Sequence, residues 1–195
     1  MKNHPANLDT VFALLFTTVT LAIGYFAFGF WTMMIFASGF LGGLVLWWFF
    51  PSTVDFERIR VPYWIALGLF FLHRVEEKTM GFFDFLSEVT GVATPDIASW
   101  PVIALVLISV GAWLSIPVLV KRKVAFGYYL AWTFFASMGI TELAHWLVFP
   151  FVVEHPMTYI PGMASVVPLA PVAWWGMSRL TTAVSSSIAP DQLGP

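Results

Sequence analysis

Between Thr10 and Phe50 the chain carries no charged residue. The stretch is about twice the ~20 apolar residues that one bilayer crossing needs. It therefore reads as two membrane helices, turning near "FGFWTM". Composition agrees: 59% of the 195 residues are hydrophobic and 10% are charged, against about 25% charged in a soluble domain. The opening "MKNHPANLD" is polar, and the apolar run behind it is too long for the hydrophobic core of a signal peptide, so the first helix is read as retained.

The rest of the chain extends the pattern. "PSTVDFERIRVP" is a polar loop whose prolines are placed to end one helix and begin the next. A third crossing starts at Pro62 and needs the unusual stretch "LHRVEEKTMGFFDF" to reach full length. "SEVTGVATPDIASWP" is a surface loop, and a fourth crossing ends at Lys121-Arg122-Lys123. A fifth contains "TELAH". "VVEHPMTYIPG" is a turn before a sixth, which Pro168 and Pro171 interrupt. The chain is thus read as all-α, a single polytopic membrane bundle over residues 1–195. Its helices lie near 10–29, 32–50, 62–86, 101–120, 124–150 and 158–181, and the tail 183–195 is expected to be disordered.

Charge bias tests the count. With Lys121–Lys123 on the cytoplasmic side, alternation puts Lys2, Arg58, Arg60 and Arg179 there too, leaving Arg74 and Lys78 as the exceptions. Both termini are then cytoplasmic. No motif repeats between halves, so an inverted-repeat transporter has no support. A net charge of −2 and the lack of a longer basic block argue against nucleic acid. With no cysteine there is no thiolate metal site and no thiol nucleophile. A phosphate-binding glycine loop, a Gly-x-Ser-x-Gly elbow, a His-Glu-x-x-His pair and a dinucleotide fingerprint are all absent from the sequence.

Ionisable residues inside a membrane are costly and mark function by default. On the third helix His73, Glu76 and Glu77 stand at i, i+3 and i+4, on one face; on the fifth, Glu142 and His145 stand at i, i+3. His155 lies just beyond, next to Pro156. Histidine and carboxylate without sulfur is the ligand set of zinc or non-haem iron. The candidate metal ligands are His73, Glu76, Glu77, Glu142, His145 and His155, with Glu76, Glu77 and Glu142 as candidate catalytic carboxylates. The third and fifth helices run parallel by this topology. His73 would then level with Glu142, and Glu76 or Glu77 with His145, for one metal or two. Counted from Pro62 and Val124, however, His73 lies ~16 Å along its helix and Glu142 ~27 Å along its own. The competing reading is structural: Arg74 or Lys78 pairs with the glutamates, or snorkels to the interface, and Glu142 with His145 only fixes helix packing. Asp84 and Glu88 continue the face of His73 and Glu77 and are read as interfacial charges, with an extra ligand as the alternative. Trp146 and Trp174 are candidates to line a pocket.

"HRVEE" with the Gly-Phe stretch behind it, "LAHWLVFPF", and "YIPG" at Tyr159–Gly162 together resemble the HXXEE family of small bacterial and archaeal integral membrane proteins. The likeness covers roughly residues 62–182. It implies that His73, Glu76, Glu77 and His145 form the site, and it implies no particular activity. The segment after the motif lacks a proline associated with the family, so the third helix is expected to run on unbroken.

Three classes of function fit these readings. The first is a metal-dependent enzyme, hydrolase or oxidoreductase, that acts on a lipid or other hydrophobic molecule with a spare carboxylate as base. The second is a metal-free acid–base isomerase of a lipid-like substrate, loosely analogous to the small helical sterol isomerases of the emopamil-binding type. The third is a proton-coupled carrier, a binding protein or a small subunit of a membrane complex; a homodimer is also compatible.

Overall fold

The computed structural model describes residues 7–93, 96, 98–153 and 158–181. It is an all-α bundle, without strands among the described residues. The expected tail 183–195, His4, Glu154 and His155 lie outside them. Three helical stretches, Leu8–Phe49, Trp100–Lys121 and Ala125–Val152, are long and apolar enough to cross a membrane, and the chain is a membrane protein.

The charge-free run forms α1 (Asn7–Phe49), which breaks at Gly29 (φ 79°, ψ −177°). The rings of Phe16 and Phe40 are 6.3 Å apart, whereas a straight helix would separate these residues by ~36 Å. The two arms therefore fold back on each other. Gly29 suits the turn twice over: its φ is positive, and a Cβ there would sit 2.7 Å from Val92. The second arm packs on α6 (Ala125–Ala136) through Gly39 and Gly43. A Cβ on Gly43 would lie 2.5 Å from the Cα of Thr133, and one on Gly39 2.8 Å from the Cα of Ser137. This is the small-xxx-small spacing that lets membrane helices approach closely. One turn on, Trp47 meets Tyr129, and from the first arm Thr17 hydrogen-bonds the Tyr129 hydroxyl at 2.7 Å. α6 is buried on every face from Gly127 to Ala136, as a helix apolar all round should be.

α2 spans Phe56–Thr79, starting six residues earlier than the prolines suggest. Asp55 stands at its N-cap, Glu57 in its first turn pairs with Arg60 at 2.8 Å, and Pro62 is carried inside the helix. α2 and α6 are parallel: Tyr128 bonds the Val54 carbonyl, Tyr63 meets Phe134, and His73 meets Glu142. The early start removes the offset in depth. His73 now lies 17 residues beyond Phe56, and Glu142 lies 17 beyond Ala125, both ~26 Å along.

The expected unbroken third helix is broken. α2 ends at Thr79, Gly81 turns left-handed (φ 74°), and α3 (Phe82–Thr90) follows as a separate helix, so Asp84 and Glu88 do not continue the face of His73; both are exposed. α4 (Trp100–Leu114) and α5 (Ile116–Lys121), joined at Ser115 before Pro117, make the next rod. α9 (Met163–Thr181) starts later than expected, after the Pro161-Gly162 turn, and runs through Pro168 and Pro171 without interruption. Arg58, Arg60, Lys121, Arg122, Lys123 and Arg179 fall at the same end of the bundle, where Lys123 bonds Asp55 at 2.5 Å and the Thr53 carbonyl at 3.0 Å. That hydrogen bond to Asp55 pushes the Lys123 ammonium above its usual range.

Candidate functional site

The site forms where three interruptions meet. Beyond Ala136 the central helix widens into a π turn, Ser137–Thr141, with the Glu142 N–H bonding the Ser137 carbonyl at 3.2 Å. The extra residue rotates the segment beyond it, and the short helices α7 (Ala144–Leu147) and α8 (Phe149–Val152) continue the chain. The Gly139 carbonyl receives the Trp174 indole N–H at 2.7 Å. Trp174 thus stabilises the π turn, and Trp146 donates to the Met163 carbonyl at 2.9 Å.

Four side chains converge there: His73 and Glu77 from α2, Glu142 and His145 from the chain after the π turn, all buried. One ligand atom from each lies within 4.8 Å of the other three. The His73 Nε2 atom is 3.4 Å from Glu77 Oε1 and 3.1 Å from Glu142 Oε2; His145 Nε2 is 3.3 and 3.6 Å from the same two oxygens. Tetrahedral zinc with bonds of ~2.0–2.1 Å sets its ligand atoms ~3.3 Å apart. The four separations bracket that edge, and three of them exceed the 2.7–3.2 Å range of N–H···O hydrogen bonds. Glu77 Oε1 has no hydrogen-bond partner among the described residues. The cluster has room for one ion between its four ligand atoms.

The outer oxygens of the two carboxylates belong to Arg74. Its guanidinium bonds Glu77 Oε2 at 2.7 Å and also Glu142 Oε1, and its Cζ atom lies 5.1 Å from the centroid of the Phe70 ring. The direct arginine–glutamate pairing of the structural reading is therefore present, but on the side away from the histidines. Arg74 holds both carboxylates with their other oxygens aimed at the imidazoles. The charges do not balance: two carboxylates face one guanidinium, and the cluster calls for one further cation, a metal or a proton on a histidine.

Glu76 stands apart from the four. Its carboxylate accepts the backbone N–H groups of Ala164 (3.1 Å) and Ser165 (2.8 Å) and the hydroxyls of Tyr159 and Ser165. A carboxylate at the first turn of α9 satisfies donors that the helix itself leaves free. Because the Ser165 hydroxyl hydrogen goes to Glu76, its oxygen is left to accept from His73 Nδ1, 2.8 Å away. His73 therefore carries a proton on Nδ1 and turns Nε2 toward the cluster, where it can ligate a metal or carry the second proton. Lys78 is exposed and takes no part in the cluster.

The "YIPG" stretch also finds a physical role. Gly162 has φ 96°, and a Cβ there would lie 2.6 Å from His145 Cε1 and 2.8 Å from His73 Cε1. On its other sides the His145 ring packs against Phe82 and Phe149, centroids 4.9 and 5.3 Å away, and stands perpendicular to the His73 ring at 5.0 Å. Sequence reasoning missed Ser165, Tyr159 and Gly162 as parts of the site. Only the positive-φ glycine after proline was a usable signal.

An apolar cavity of about 180 Å³ opens against the cluster, and Arg74, Glu77, Glu142 and His145 form its polar wall. His73 is fully buried behind them. No family model, no curated protein and no solved structure matches the chain. Fold and site together define a membrane-embedded helical bundle with a buried histidine–carboxylate cluster facing an apolar cavity.

Proposed function

We propose that the protein is an intramembrane metalloenzyme. It binds one divalent metal, zinc or iron, in the cluster of His73, Glu77, Glu142 and His145, through both histidines and one of the two carboxylates, and acts on a lipid or other hydrophobic molecule held in the adjoining cavity. The observation that carries this is the spacing of the four ligand atoms on the wall of an apolar cavity. The likeness to the HXXEE family, which joins the same segments, supports treating them as one unit, with Glu76 as a positioning residue through Ser165.

When bound, the metal supplies Lewis acidity and lowers the pKa of a ligand water. The chain does the rest. His73 and the backbone behind it form a rigid rear wall. Arg74 keeps the carboxylates from swinging apart. One of Glu77 and Glu142 ligates, and the other, on the cavity side, serves as general base. The basic end of the bundle faces the cytoplasm.

Elemental analysis of detergent-purified protein should find close to one zinc or iron per chain, and the double variant His73→Ala/His145→Ala should lack it. Folded wild-type protein that holds no metal and takes up neither added zinc nor added iron would sink the proposal. The pairing of Arg74 with both carboxylates favours a second reading, a metal-free acid–base isomerase in which a histidine proton is the missing cation. A changed lipid product profile in Glu77→Gln from metal-free protein would select it.

A further inference from the structure

The cavity beside the cluster is long and narrow. Val102, Leu105, Val106, Ser109, Val110 and Trp113 line it along one face of α4, which at 1.5 Å per residue gives a slot ~16 Å long. A cavity of about 180 Å³ drawn out along one helix face has room for a single chain rather than a pair of acyl chains.

Its wall is not uniformly greasy. Trp113, Arg74 and Ser137 all line the slot, and the Trp113 indole N–H, the Arg74 Nε–H and the Ser137 hydroxyl have no hydrogen-bond partner among the described residues. Trp113 and Ser137 are each 5% exposed. An indole N–H can only donate, and a buried donor without a partner costs ~1–3 kcal/mol. The three groups come from α2, α4 and the π turn. Arg74 and Trp113 flank Phe70, whose ring centroid is 5.8 Å from that of Trp113.

A second apolar cavity of about 550 Å³ shares Ile35, Thr141, Ala144 and Phe149 with the first. On its rim Trp31, Met34, Leu147 and Val152 are exposed on the apolar outer face. It lies between the outer face and the slot, divided from the slot by these shared side chains.

We infer that the slot binds one single-chain lipid bearing an oxygen function, an ester, amide or alcohol. The oxygen lies in the belt of Arg74, Trp113 and Ser137, and the molecule is drawn from the bilayer through the second cavity. This names the substrate class of the enzyme proposed above and rests on that reading for its chemistry, but the binding itself does not require metal.

The test is retention of three probes, palmitoyl monoglyceride, hexadecane and dipalmitoyl phosphatidylcholine, by native mass spectrometry of the full chain. Protein would be assayed both zinc-loaded and chelator-stripped. Wild type should keep one monoglyceride in either state, keep no diacyl lipid, and bind hexadecane roughly tenfold more weakly, the equivalent of one or two hydrogen bonds. Ser137→Ala and Trp113→Phe should narrow that gap. Leu105→Trp, which fills the slot, should lose the monoglyceride yet keep its metal. Equal retention of monoglyceride and hexadecane, binding of the diacyl lipid, or binding undisturbed by Leu105→Trp overturns the inference. Loss of metal from wild type with monoglyceride binding intact would instead count against the metalloenzyme alone.

Discussion

Gly162→Ala is the sharpest probe of the site, because one methyl group would press on both histidines. The residue sits at φ 96°, where a side chain costs about 1–2 kcal/mol. At about 2–4 °C per kcal/mol for a chain of this size, the melting temperature should fall by roughly 2–8 °C. The steric effect is larger for function. Ordinary contact begins at 3.4 Å, and the added Cβ would stand 2.6 Å from His145 and 2.8 Å from His73. The rings must therefore retreat by about 0.8 and 0.6 Å. Ligands need placing to within ~0.5 Å, so zinc affinity should fall roughly 10–100-fold, the scale seen when the orientation of a metal ligand is disturbed. Competition against a chelator of known affinity reads the loss, and thermal unfolding in detergent reads the stability. Gly68→Ala is the control: it lies mid-helix in α2 with nothing within 4 Å of the new Cβ and should be neutral or stabilising by about 0.5–1 kcal/mol. If Gly162→Ala bound zinc as tightly as wild type and melted at the same temperature, the placement of the Tyr-x-Pro-Gly turn against the two imidazoles would be wrong.

The same geometry sets the outcome of other substitutions. Ser165→Ala removes the hydroxyl between His73 and Glu76 and should weaken zinc binding roughly 10-fold or more; Glu76→Gln should do the same, and the double variant should lose less than the sum, as a shared chain of hydrogen bonds requires. Arg74→Gln leaves two buried carboxylates facing each other, with a loss of about 3–5 kcal/mol. Added zinc should recover part of it, and a melting temperature indifferent to zinc would argue against a cation between the carboxylates. Gly43→Ala places a methyl against the Thr133 backbone and should cost about 1–3 kcal/mol by wedging α1 from α6, seen as a lower melting temperature with metal stoichiometry unchanged.

Much of this protein is legible in its residues because a bilayer leaves few choices. A long apolar run without a charge must become helix, since no water is present to bond a bare backbone, and a glycine in its midst marks the turn. The i, i+4 spacing of His73 and Glu77 and the i, i+3 spacing of Glu142 and His145 show two faces that could share a centre. Spacing could not choose between Glu76 and Glu77, which differ by ~100° around a helix that meets partners on both sides. That choice was made by α9, whose first turn takes Glu76 and leaves Glu77 to the cluster. Nor could proline show that α2 begins at Phe56, because Pro62 is tolerated once Asp55 and Glu57 have started the helix. The π turn, the grip of Arg74 on both carboxylates and the slot along α4 have no local signature at all. They depend on what each helix meets across the bundle, and long-range contact is the quantity that periodicity along one chain does not contain.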